Sequence, residues 1–156
     1  MKRTFFVAAI VLALDGASKG LAALLLGPDA IRLGGFLHLK LTRNTGMAFG
    51  LLGGSRWAGL ILPLAVIACG YWVMRRYRPA PLPSVACGLV LGGFLGNFGQ
   101  RAIWGYVLDM LYFPWLPWFV CNVADIAICF GAALLCISLL TRPQDWQERK
   151  EQPCSK

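Results

Sequence analysis

Charge is what this 156-residue chain has least of. Only 14% of its residues are charged, against 58% hydrophobic, where an ordinary soluble domain has about 25% charged and about 45–50% apolar. That composition excludes a soluble globular domain. Histidine is almost missing, His38 being the only one. The six cysteines, Cys69, Cys87, Cys121, Cys129, Cys136 and Cys154, include no C-x-x-C pair. Five of them fall in or beside apolar runs, so they read as small packing residues, not as zinc ligands or a disulfide frame. With neither a histidine partner nor a cysteine cluster, no metal site and no cofactor are expected. No internal repeat is evident, which argues against a transporter built from matching halves. A cleavable leader is not expected either. The apolar run that follows Lys2 and Arg3 continues past Asp15 to Leu26, with no small-x-small site ahead of a soluble domain.

Long apolar stretches take the place of charge. Residues 5–26, 57–74, 82–98 and 118–140 are each near the ~20 residues that span a bilayer, the second and third at the short end. The expectation is an all-α integral membrane protein of four transmembrane helices. The net charge of +8 lies in the loops, so it points to membrane orientation and not to nucleic acid. Lys2, Arg3, Arg75, Arg76, Arg78, Arg142, Arg149, Lys150 and Lys156 fall on one side; Arg32, Lys40, Arg43, Arg56 and Arg101 fall on the other. Nine against five places both termini in the cytoplasm. The chain reads as one membrane domain, residues 1–141, with a polar, partly disordered cytoplasmic tail, residues 142–156.

Between the first two spans lies an outer insertion, about residues 30–52. Ile31 to Thr42 alternates apolar and polar residues, which predicts one strand with a buried face. Arg43-Asn44-Thr45-Gly46 is turn-like and Met47 to Gly50 could form a second short strand, giving a small sheet on the membrane surface. His38 reads as a solvated or interfacial side chain. In the third span Gly88, Gly92 and Gly96 form a smooth stripe for close helix approach. Residues 99–117 carry Trp104, Tyr106, Tyr112, Phe113 and Trp115, as expected of a segment lying at the lipid headgroups.

The polar residues that remain need a reason. Asp15 and Lys19 are four apart on the first span and read as a structural ion pair. Asn97 and Arg101 share a face where the third span ends, and Asn122 and Asp125 share one on the fourth. Asp125 falls some seven residues into that span, about 10 Å deep at 1.5 Å per residue. Asp109 lies in the second outer loop and reaches Asp125 only if that loop folds back. Two neighbouring carboxylates, one protonated and one ionised, make an acid–base pair able to hydrolyse an amide without metal or nucleophile. A proton relay or helix glue in a non-enzymatic membrane protein, such as a small proton-linked transporter, is the reading from another class.

The ordered boxes resemble lipoprotein signal peptidase, the membrane aspartyl protease of bacteria, across nearly the whole chain. They are Asp15-Gly-Ala-Ser-Lys19, Asn44-Thr-Gly46-Met-Ala48-Phe49, Gly96-Asn97 with Arg101, Gly105-Tyr-Val107-Leu-Asp109, and Asn122-Val-Ala124-Asp125-Ile-Ala127. The resemblance implies that Asp109 and Asp125 are catalytic. It implies that Asn97, Arg101 and Asn122 support them, and that Asn44 and Gly46 grip substrate. The implied partners are a diacylglyceryl-modified prolipoprotein, cut just before its lipidated cysteine, and the phospholipid bilayer. The implied place is the periplasmic face of the inner membrane, and a monomer is expected. Four positions depart from the family pattern: Gln100 replaces an aspartate, Met47 an alanine, Met110 a phenylalanine and Ile126 a serine. Loss of the acid at position 100 leaves open a catalytically impaired paralogue that binds signal peptides.

Overall fold

A computed structural model describes residues 1–45 and 58–148; Gly46 and the Met47–Gly50 segment lie outside the described residues. Four long helices dominate: α1 (Lys2–Leu25), α2 (Ala58–Arg76), α3 (Pro81–Trp104) and α4 (Val123–Thr141). Among the described residues, α1, α3 and α4 are long and apolar enough to cross a membrane. Large apolar side chains face outward along them, Leu24, Ile103 and Leu140 among the most exposed. The buried stripe of α1 runs Thr4, Ala8, Val11, Asp15, Lys19 and Ala22. Its spacing of three and four residues is one helical face, and the polar pair sits within that face.

α3 is the central helix, packed against α1, α4 and α2. The glycine stripe makes this possible. A methyl group at Gly88 would lie 2.7 Å from the Thr4 carbonyl oxygen, and one at Gly92 would lie 2.8 Å from that of Ala8. One at Gly96 would lie 2.8 Å from the Asp15 carboxylate. On the other flank of α3, Gly93 closes against the Ala124 carbonyl of α4. α3 ends at Gly105, whose positive φ of 78° forms the left-handed cap, its N–H bonding the Arg101 carbonyl at 3.0 Å.

The molecule is mostly helical but not all-α. A four-stranded antiparallel sheet runs in the order β1 (Ile31–Arg32), β2 (His38–Asn44), β4 (Val107–Tyr112), β5 (Val120–Cys121). The alternating segment from Ile31 to Thr42 is therefore two strands, broken around Gly34, whose φ of 97° suits glycine. The sheet is also not confined to the insertion. The aromatic segment after α3 supplies β4, paired along β2 with Thr42 opposite Asp109. Backbone pairing, not lipid headgroups alone, fixes that segment. Phe36, Phe113 and Trp115 cluster beyond it at centroid distances of 5.6–5.9 Å.

α4 begins at Val123, five residues later than the hydropathy run, because Val120–Cys121 is consumed as β5 and Asn122 caps the helix. The tail differs too. Residues 143–145 form a 3₁₀ turn and β6 (Trp146–Glu148) pairs antiparallel with β3 (Tyr77–Pro79). Ala80 N–H bonds the Asp145 carbonyl at 2.8 Å, and Trp146 Nε1 donates to Ser138 Oγ at 3.2 Å. The start of the tail thus clasps the α2–α3 turn. Among the described cysteines only Cys121 is buried; Cys69, Cys129 and Cys136 face outward, so packing does not account for those three.

Candidate active site

Asp125 is the third residue of α4, about 3 Å from Val123 at 1.5 Å per residue. The expected depth of about 10 Å is corrected by the late start of the helix. Asn122 and Asp125 form a reciprocal cap: Asp125 N–H donates to Asn122 Oδ1 at 2.9 Å, and Asn122 N–H donates to Asp125 Oδ2 at 3.2 Å. The cap satisfies backbone donors that a helix start leaves open, and the helix dipole favours the carboxylate there.

Asn122, wholly buried, also joins the two carboxylates. Its Nδ2 donates to Asp109 Oδ1 at 2.6 Å. Asp109 comes from β4 and its other oxygen accepts from Asn44 Nδ2, on β2, at 2.9 Å. From α3, Asn97 Nδ2 donates to Asp125 Oδ1 at 2.8 Å. Arg101, one turn further along α3, lies within electrostatic range of both carboxylates. Asp109 is 1% exposed, and burial pushes its carboxyl up to about 6. The Asp125 charge adds to that rise, while the hydrogen bonds from Asn44 and Asn122 and the charge of Lys19 oppose it.

The Asp15–Lys19 pair is part of the same network. Lys19 Nζ sits 2.7 Å from Asp15 Oδ2 and donates to Asn97 Oδ1 at 2.8 Å, so it orients the amide that holds Asp125. Asp15 Oδ1 accepts from Ala124 N–H, in the first turn of α4, at 3.0 Å. Read from sequence as a structural pair, these two residues bind α1 to α3 and α4 within hydrogen-bond contact of the carboxylate support. The three polar pairs at helical spacing, 15/19, 97/101 and 122/125, were the signal that they converge.

Gln100 fills a role its sequence position did not reveal. Its Oε1 accepts the Leu108 N–H at 3.0 Å, anchoring β4 one residue before Asp109. Of the other departures, Met110 is buried and Ile126 is half exposed on the outer side of α4. His38 stands apart from the cluster, its ring 5.8 Å from that of Tyr112. Among the described residues no group of three or more His, Cys, Asp or Glu side chains is arranged to hold a metal ion. A groove of about 400 Å³ between α1 and α3, bordered by Gly16, Gly20, Gly96 and Gly99, reaches Gln100 and Leu108 beside Asp109.

The chain is similar to known proteins over most of its length. The chain is 40% identical over 144 residues to the lipoprotein signal peptidase of Caulobacter vibrioides, covering 84% of this chain and 82% of that one. It is 36% identical over 138 residues to that of Brevibacillus brevis, covering 86% and 93%. A solved bacterial membrane enzyme at 2.3 Å resolution superposes with a TM-score of 0.79 over 97% of this chain and 96% of that one, at 23% identity, showing the shared fold. The sequence model of the family described as signal peptidase (SPase) II matches residues 7–141, which takes in every box from Asp15 to Ala127. The chain therefore belongs to the signal peptidase II family.

Proposed function

We propose that this protein removes signal peptides from diacylglyceryl-modified prolipoproteins, using Asp109 and Asp125 as a carboxylate pair. The observation that carries the reading is the Asn122 amide, which donates to Asp109 while its own backbone and side chain are locked to Asp125. Two carboxylates are thus bonded to one residue, Asp109 through that residue's side chain and Asp125 through its backbone N–H, and they lie within electrostatic range of each other. The ionised one would take a proton from water, while the protonated one polarises the scissile carbonyl and then supplies the leaving amine. Asp109, lifted to about 6, titrates where a general acid or base works best. The dyad titrates as a unit, so the proton belongs to the pair.

Asn97, Arg101 and Asn122 hold the carboxylates in this reading, and Lys19 and Asp15 orient Asn97 and the start of α4. Asn44 and Gly46 would grip substrate backbone. The glycine-bordered groove between α1 and α3 would receive the substrate beside Asp109. Counting α2 as the fourth span, the nine-to-five distribution of basic residues supports cytoplasmic termini. The carboxylates and the β1-β2-β4-β5 sheet then face the periplasm from a single inner-membrane domain of residues 1–141, acting as a monomer.

Cleavage of a lipidated prolipoprotein in proteoliposomes tests this. Asp109→Asn and Asp125→Asn should each lower the rate by about 10²–10⁴-fold or more, the range for loss of an acid–base group, with the protein still folded. Addition of EDTA should change nothing. Near-normal cleavage by either variant would overturn the assignment of the pair.

A further inference from the structure

A second groove, of about 560 Å³, lies between α2, α3 and α4 and shares no lining residue with the groove beside Asp109. That volume is within the range of about 300–1,000 Å³ typical of small-molecule sites. Its walls are apolar, with Val66, Gly70 and Val73 on α2, Leu91 on α3, and Leu135 and Leu139 on α4. From Val66 on α2 to Tyr77, the first residue beyond that helix, the wall covers 12 residues, or about 16 Å at 1.5 Å per residue step. That is close to half of a hydrocarbon core about 30 Å thick, the depth of one leaflet.

One end of the groove is chemically distinct. Tyr77 and Trp146 meet there edge to face at 6.3 Å, brought together by the β3–β6 clasp. Aromatic rings of this kind settle at the headgroup level. The lining stripes then run into arginine on two helices. Arg76 is one turn beyond Val73, and Arg142 follows Leu139 by three residues; both are exposed. Lys2, Arg3, Arg75 and Arg78 lie at the same end, and the contact of Thr4 with Met74 ties the start of α1 to it. The acids at this end among the described residues are Asp145 and Glu148. The result is an apolar slot one leaflet deep, rimmed by positive charge, at the far end of the bundle from Asp109 and Asp125.

We propose that this slot holds an acyl chain of an anionic phospholipid from that leaflet, with the headgroup phosphate set on Arg76 and Arg142. Charge favours the lipid over a substrate's signal helix, because the basic start of a signal peptide would be repelled by the same arginines. The proposal rests on the groove and its charge and not on the carboxylate pair, so it stands or falls independently of the peptidase reading.

Native mass spectrometry of the full chain, with phosphatidylglycerol or phosphatidylcholine supplied in detergent, is the test. The wild type should retain phosphatidylglycerol preferentially. Arg76→Ala with Arg142→Ala should lose that preference by roughly fivefold per arginine, as expected for a basic side chain near an anionic surface. Arg76→Lys with Arg142→Lys should keep most of it. Leu139→Trp, which fills the slot, should lower retention of both lipids while leaving prolipoprotein cleavage intact. Equal retention of the two lipids by the wild type, or an undiminished preference in the double alanine variant, would overturn the proposal. So would a photo-crosslinker at Leu135, in proteoliposomes supplied with prolipoprotein, that captured peptide in place of lipid.

Discussion

At the scale of single residues, the buried side chains of Asp109 and Asn122 carry opposite burdens. Asn122 is neutral and offers both donors and an acceptor, so it can be fully buried once its partners are in place. Asp109 is held where ionisation is costly, and its carboxyl rises to about 6 from an unfolded value of about 3.9. A raised acid favours folding most below about pH 4, and that contribution is lost as pH rises through about 6. Two pKa units correspond to at most about 3 kcal/mol. Asp109→Asn cannot ionise, but it faces one amide donor, from Asn44 or Asn122, with its own NH₂. The expected outcome is a variant less stable than wild type near pH 4 whose deficit shrinks, or reverses, by pH 8. Thermal unfolding in detergent across that range measures it, and parallel curves for the two proteins would show that Asp109 does not titrate near 6.

At the scale of elements, helices and strand pairs differed in what the sequence disclosed. Apolar length located all four helices, and the glycine spacing identified the α3 face that meets α1, because close packing needs small residues at helical intervals. The strand at Val107–Tyr112 was hidden. Apart from Asp109 its side chains are apolar or aromatic, and such a segment looks the same whether it lies on lipid or pairs with another strand 65 residues away. The start of α4 was hidden for a related reason: Trp118 to Cys121 is apolar, so hydropathy runs on through β5, and only the Asn122-x-x-Asp125 cap marks the boundary. Gln100 belongs at this scale, because it fastens β4 to the end of α3 through Leu108. The hydrogen bond needs an acceptor oxygen and not a charge. Gln100→Glu should therefore keep the anchor and most of the activity, while moving the alkaline limb of the pH–rate profile upward by adding a negative charge near Asp109. Gln100→Ala leaves the amide without that acceptor, and about five- to tenfold loss of kcat is expected from a net hydrogen bond of this kind. Steady-state kinetics of the two variants would show it; equal loss in both would mean that the neutral amide, and not an acceptor oxygen alone, is what position 100 supplies.

Across the whole molecule, the polar network is the one place where α1, α3, α4, β2 and β4 all meet. It holds three carboxylates, Asp15, Asp109 and Asp125, and two cations, Lys19 and Arg101. These balance to zero net charge when the aspartate pair keeps a single proton, which is the state that the proposed chemistry requires. In a low-dielectric site that neutrality is worth protecting. Lys19 holds it through Asp15 and Asn97, and its charge pulls the Asp109 carboxyl downward. Removing it in Lys19→Met should therefore do two things. It leaves Asp15 unpaired inside the bundle, at a cost of about 3–5 kcal/mol, and it moves the alkaline limb of the pH–rate profile to higher pH, because Asp109 holds its proton more tightly. Asp15→Asn combined with Lys19→Met removes both charges of the pair and restores neutrality around the dyad. It should recover much of the lost stability and return the profile toward that of the wild type. Thermal unfolding and pH–rate profiles of the single and double variants separate these effects. A double variant with restored stability but a profile still displaced would mean that Lys19 acts on the dyad through Asn97 alone, and not through the charge balance of the network.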